Sequence, residues 1–110
     1  MSPKSVTFTL RSTDRFNEWL ANADSQVRNR VLARLARVEL GNFGDHKMMG
    51  AIGELRIDYG PGYRVYFTMR ERTIVILLGA GSKKTQQRDI RLAIEMADAF
   101  EGNGHAERGR

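Results

Sequence analysis

ELRIDYGPGYRVYF, residues 54–67, decides the fold, because it reads as two alternating segments about a Gly-Pro-Gly turn. Successive side chains of a strand point to opposite faces, and Gly with Pro ends one strand and starts the return. Carried outward, a strand from Ile52 to Tyr59 sets Leu55, Ile57 and Tyr59 against Glu54, Arg56 and Asp58. Its partner from Tyr63 to Arg70 sets Tyr63, Val65, Phe67 and Met69 against Arg64, Tyr66, Thr68 and Arg70. Each strand therefore has an oily and a polar face. A turn pairing Tyr59 with Tyr63 puts Asp58 opposite Arg64 and Arg56 opposite Tyr66. A purely structural hairpin has no need of two arginines on one face, so Arg56 and Arg64 are candidate site residues.

Downstream, TIVILLGA (73–80) is apolar at both parities and reads as an interior strand. GSKK follows, then a helix from about Thr85 to Phe100 with Ile90, Ala93, Ile94 and Ala97 as its buried stripe. Upstream, VTFTL (6–10) is a first strand, and a helix from about Thr13 to Leu20 buries Phe16, Trp19 and Leu20. Val27, Val31, Leu35 and Val38 form the apolar stripe of a second helix, with Gly41 where a helix end takes a left-handed residue. GNFGDHKMMG (41–50) is too rich in Gly to be regular and reads as a connection. The order β-α-α-β-β-β-α predicts an α+β domain over residues 1–101, with a mainly antiparallel sheet, helices packed on one face and a polar face left open. The tail 102–110 lacks any apolar pattern and is expected to be mobile.

Composition narrows the function classes. The chain of 110 residues has 41% hydrophobic and 28% charged residues, which suits one soluble globular domain. With no cysteine and two distant histidines, His46 and His105, neither thiolate chemistry nor a zinc site is expected, and no cofactor is called for. No signal-like or membrane-spanning run stands out, so a cytoplasmic location is the default. A net charge of +5 points to an anionic partner, either nucleic acid or an acidic protein segment.

Cleaving an RNA strand without metal requires a base for the 2′-hydroxyl proton, an acid for the leaving oxygen and positive charge facing the phosphorane-like transition state. The polar face offers Arg56 and Arg64. The loop after the interior strand brings Lys83 and Lys84, and the loop before the sheet brings His46 and Lys47. A lysine crowded by cations has its charged form disfavoured, which suits Lys83 or Lys84 to proton transfer. The planar fork of Arg64 matches a phosphate, and Tyr66 on the same face offers a ring for stacking on a base. On the second helix, Arg30, Arg34 and Arg37 at i, i+4 and i+7 form a basic ridge, either solvated or a partner surface. GAGSKKT lacks the glycine spacing of a nucleotide-binding loop, so nucleotide hydrolysis is set aside.

Taken together, FNEWL, ARLARVELGNFGDHK, GELRIDYGPGYRVYF and LLGAGSKKTQQRDIRLA resemble the RelE/HigB-like toxins of bacterial type II toxin–antitoxin systems, in the branch of addiction-module killer proteins. The resemblance runs from about Phe16 to Ala97. It implies a RelE-type α+β fold and cleavage of messenger RNA in the ribosomal decoding site, silenced by a cognate antitoxin, expected to be a helix-turn-helix protein. By motif it marks Arg64, Arg56, Lys83 and Lys84 as catalytic, while Lys47, His46 and Tyr66 are assigned to RNA binding by their own place on the face and in the loop before the sheet. The ridge of Arg30, Arg34 and Arg37 becomes the expected antitoxin surface. Several such toxins carry a tyrosine or histidine near the C-terminus, whereas this chain has no tyrosine after Tyr66 and only His105. Relatives of the ParE type share the architecture but act on DNA gyrase, which leaves a non-nuclease toxin or binding module as the alternative.

Overall fold

The computed structural model describes residues 7–108, with side chains through residue 100. Val6, at the start of the expected first strand, and residues 109–110 of the expected tail lie outside the described residues, as does the His105 side chain. The described chain runs β1 (Thr9–Ser12), α1 (Asp14–Asn22), α2 (Ser25–Glu39), β2 (His46–Met49), β3 (Ile52–Ile57), β4 (Tyr63–Arg70), β5 (Ile74–Ser82), a single 3-10 turn (Lys83–Thr85) and α3 (Gln86–Arg108). The five strands form one sheet in the order β1-β5-β4-β3-β2. Only the β1–β5 pair is parallel.

Local chemistry sets the helix ends. Thr13 caps α1: its hydroxyl accepts from Phe16 N at 3.1 Å and donates to the Leu77 carbonyl at 2.9 Å, so one side chain both starts the helix and pins it to β5. Asp24 caps α2 through Gln26 N at 3.2 Å. Gly41 follows its end with φ at 92°, the left-handed conformation that a Cβ would disfavour. The stripe of Val27, Val31, Leu35 and Val38 is buried as its spacing requires, joining Phe16 and the β-strand residues Leu55, Ile57, Val65, Phe67, Val75 and Leu77 in the main core.

Several expectations are corrected. The sheet does not carry all its helices on one face: a second core of Ile52, Tyr66, Ile76, Leu78, Ala93 and Ala97 lies on the opposite side, covered by α3. The cause is β5, whose Val75 and Leu77 join the first core while Ile76 and Leu78 join the second, so both faces require cover. Arg70 Nη1 donates to the Phe100 carbonyl at 3.2 Å and ties α3 across that face. Ile94 is exposed, so the helix stripe is narrower than its apolar residues suggest.

The hairpin register is also shifted by two residues from the expected one. Arg56 pairs with Arg64 and Glu54 with Tyr66, and the loop extends from Asp58 to Gly62. A two-residue shift keeps every side chain on its face, which is why the parity survives. Finally, His46–Met49, expected as part of a connection, is an edge strand paired to β3, with Lys47 opposite Glu54. At the far end α3 continues past Phe100 to Arg108.

Candidate nucleic-acid interface

Arg56 and Arg64 stand directly opposite one another on the face that α3 partly covers. Like charges in that position repel unless a counter-charge lies between them. Glu54 supplies it. Two residues before Arg56 on the same face, its side chain is 1% exposed; Oε1 lies 3.2 Å from Arg56 Nε and Oε2 3.6 Å from Arg64 Nε. Gln86, the first residue of α3, donates from Nε2 to Glu54 Oε2 at 2.8 Å. A buried carboxylate is stable only when so partnered. Glu54 thus links β3, β4 and α3 and sets where the two guanidinium groups sit.

Above this clamp lies a cleft of about 320 Å³ lined by Arg56, Arg64 and Lys83, with Asp45 and Asp58 at its margin. The Gly60-Pro61-Gly62 turn completes it. Lys83 N donates to the Gly62 carbonyl at 3.0 Å, which docks the lysine turn against the hairpin loop. Ser82 Oγ accepts from Lys84 N at 3.2 Å and fixes the start of that turn. Lys83 also borders a second hollow of about 540 Å³, shared with Lys84, Gln86, Gln87, Arg88 and Arg91, where no acid intrudes. The first cleft is close to charge-balanced, since Asp45 approaches Arg56 Nη1 at 3.9 Å; the second is lined by Lys83, Lys84, Arg88 and Arg91 with no acid among its lining residues, and of these only Arg88 meets a counter-charge among the described residues, Asp89 beneath it, so it carries the stronger positive field.

The lysine turn is braced from below by Asp89. Buried near the start of α3, it accepts from Thr85 Oγ1 at 2.6 Å and meets Arg15 Nη2 at 3.4 Å and Arg88 Nε at 3.7 Å. Its carboxylate packs against Gly81 so closely that no Cβ fits between them, and Thr85 Oγ1 would lie 2.6 Å from such an atom. The second glycine of GAGSKK is therefore there for close approach.

Not every nominated residue joins this site. Tyr66 lies on the expected face but is fully buried beneath α3 with its hydroxyl unpartnered, so it offers no surface for a base to stack on. Burial, with the charge of Glu54 behind it, drives its pKa well above the ordinary value of 10.0 and keeps it protonated. His46 faces the other way: its ring lies 5.5 Å from Phe43 and its Nδ1 2.8 Å from the Gly44 carbonyl. Lys47 shares the face of Glu54 but sits exposed on the edge strand.

The ridge on α2 is also broken. Arg30 stacks over the Tyr59 ring at 4.1 Å, and Arg37 is exposed. Arg34 is buried and bonded to the Phe43 and Asp45 carbonyls at 3.1 and 2.6 Å, holding the loop that leads to β2. Desolvation, then the charge of Arg37, lowers its pKa. The sequence pattern places three arginines along one side, but orphaned carbonyls of a glycine-rich loop draw the middle one inward.

Two residues central to the site were not nominated. Glu54 had a signal, an acid two positions from Arg56 on one strand face. Gln86 had none, since its role depends on where α3 lands. Among the described residues no group of three or more His, Cys, Asp or Glu comes together that would hold a metal ion, and no helix is long and apolar enough to cross a membrane.

The arrangement of sheet and helices is that of the RelE fold. The chain matches a mutant of the E. coli toxin RelE in the free state with a TM-score of 0.69 at 18% identity, covering 82% of this chain and 97% of that one. It matches a chain of the intact E. coli RelBE toxin-antitoxin complex at 0.58 and 20% identity, covering 68% and 95%. Residues 18–99 match the family described as Phage derived protein Gp49-like (DUF891), and the chain belongs to that family. An "Uncharacterized protein" of Haemophilus influenzae is 41% identical over 90 residues, covering 80% of this chain and 91% of that protein.

Proposed function

We propose that this chain is the toxin component of a type II toxin–antitoxin system and that it cuts messenger RNA on the ribosome. The observation that carries the reading is the convergence of Arg56, Arg64 and Lys83, from two strands and the turn after β5, on one cleft over a buried carboxylate. Fold likeness to a toxin crystallised with its antitoxin supports a cognate antitoxin as partner. Ribosome-bound substrate implies a cytoplasmic site of action.

In the reaction the 2′-hydroxyl loses its proton and attacks the adjacent phosphorus, the P–O5′ bond breaks, and the leaving oxygen takes up a proton. Arg64 donates its guanidinium N–H groups to the non-bridging oxygens as charge accumulates there. Lys83 or Lys84 serves proton transfer, while Arg56 holds the flanking backbone and Lys47, outside the cleft on the edge strand, meets the RNA further along. Such a spare site gains from a ribosome that presents the strand in an attack-ready geometry.

The test is controlled expression followed by mapping of messenger RNA 5′ ends, in the wild type, Arg64→Ala and the double variant Lys83→Ala/Lys84→Ala. Cuts in the wild type that fall by about a hundredfold or more in each variant are expected. Growth arrest undiminished in both variants, or DNA damage without RNA cuts, would transfer the chain to the gyrase-directed reading.

A further inference from the structure

Cutting RNA by its own 2′-hydroxyl takes one group to accept a proton and another to give one. The cleft of Arg56, Arg64 and Lys83 holds groups of both kinds. An ammonium has protons to donate and no lone pair to accept one, whereas an ionised carboxylate only accepts. Lys83 therefore suits the leaving oxygen, and the attacking hydroxyl calls for an acid residue. Not every acid nearby can serve. Glu54, 1% exposed, has its oxygens committed to Arg56, Arg64 and Gln86. Asp89 is buried beneath the lysine turn and engaged by Thr85, Arg15 and Arg88. Asp45 and Asp58 are the acids that line the cleft itself.

Of the two, Asp45 is built in. It immediately precedes β2, and its carbonyl oxygen accepts twice, from Arg34 Nη2 at 2.6 Å and from Arg56 N at 2.9 Å. One donor is the buried arginine of α2 and the other belongs to β3, the strand that carries a cleft arginine, so two elements fix the backbone from which the carboxylate projects. The carboxylate itself is 65% exposed and lies 3.9 Å from Arg56 Nη1. That is near enough to be attracted and too far for a hydrogen bond, which leaves its lone pairs open to an incoming hydroxyl. Asp58 lies instead in the hairpin loop after β3, beside the left-handed Gly60 and Gly62.

We propose that Asp45 is the general base of the cut and Lys83 its general acid. The assignment rests on the nuclease reading of this cleft. An Asp45 carboxylate oxygen takes the 2′-hydroxyl proton, O2′ forms a bond to the adjacent phosphorus, and the P–O5′ bond breaks as Lys83 Nζ gives a proton to O5′. The products are a 2′,3′-cyclic phosphate and a 5′-hydroxyl. Asp45, now protonated, and Lys83, now neutral, return to their starting forms by proton exchange with water.

The experiment follows single-turnover cleavage of a message on purified ribosomes, with the full chain in excess, from about pH 6 to pH 9. A carboxylate base acting with a lysine acid gives a rate that stays level or falls as pH rises, whereas a lysine base gives a climb of about tenfold per unit. Asp45→Asn keeps the backbone bonds of residue 45 and lowers the rate about a hundredfold or more, with the half-saturating concentration of chain unchanged. A message with sulfur in place of the bridging O5′ at the cut has a leaving group that needs no proton. It brings Lys83→Ala to within about tenfold of wild type and leaves Asp45→Asn slow. A wild-type rate that climbs about tenfold per unit, Asp45→Asn cutting within about threefold of wild type, a larger loss in Asp58→Asn, or sulfur rescue of Asp45→Asn overturns the assignment and leaves the nuclease reading standing. A wild-type chain that leaves the message whole ends both.

Discussion

Removing the Glu54 carboxylate exposes the energetics of the site. In Glu54→Ala, Gln86 loses its 2.8 Å acceptor, and Arg56 and Arg64 face each other with no charge between them. The Arg56 side chain, 36% exposed, can turn to water, so its ion pair counts as a surface one, on the order of 0.5 kcal/mol. Arg64, only 16% exposed and with its Nε lacking any hydrogen-bond acceptor, has less freedom to escape. With the lost amide bond and the space left behind, the expected destabilisation is roughly 3 kcal/mol. Urea denaturation followed by Trp19 emission should show the midpoint fall by about 2 M. Glu54→Gln, which keeps an acceptor oxygen but no charge, should lie between. In a cycle with Arg64→Ala the two losses should couple by at least about 1 kcal/mol. Stability of Glu54→Ala within about 0.5 kcal/mol of wild type, or strict additivity with Arg64→Ala, would show that the carboxylate does not hold this arginine.

Gly81→Ala should lower stability by about 2–3 kcal/mol, measured by the same unfolding curve, because its methyl group meets the Asp89 carboxylate and Thr85 hydroxyl beneath the lysine turn. Arg34→Lys should cost about 1–2 kcal/mol even though charge is kept, since one ammonium cannot reproduce the forked bonds to Phe43 and Asp45. Tyr66→Phe should leave neutral-pH stability within about 1 kcal/mol, as the hydroxyl has no partner to lose. Its effect should appear in alkali: the folded tyrosine holds its proton above the ordinary value of 10.0, so unfolding gains from proton release as pH rises past that point. The wild type should therefore lose stability there more steeply than Tyr66→Phe, in urea midpoints collected across the alkaline range.

Strand alternation and helix stripes made most of the fold legible. Residues 54–67 placed Arg56, Arg64 and Tyr66 on one face correctly even though the register was off by two, because parity is indifferent to an even shift. Val27, Val31, Leu35 and Val38 fell in the core as spaced, for the same reason that a repeat of 3.6 residues is a property of the helix itself. The short strand His46–Met49 escaped notice because its order comes from pairing with β3 rather than from its own residues.

Burial on the polar face could not be read this way. The amino-acid sequence alone determined the α+β class, the two faces of the hairpin and the positive residues that reach one of them, since these follow from backbone periods and side-chain chemistry within a few residues. Tertiary structure alone decided that α3 covers Tyr66, that Gln86 meets Glu54 across 32 positions of sequence, and that Arg34 turns into a loop. Exposure and partnership are set by whatever packs on top of a residue, and that contact is made by a segment whose arrival no local pattern encodes.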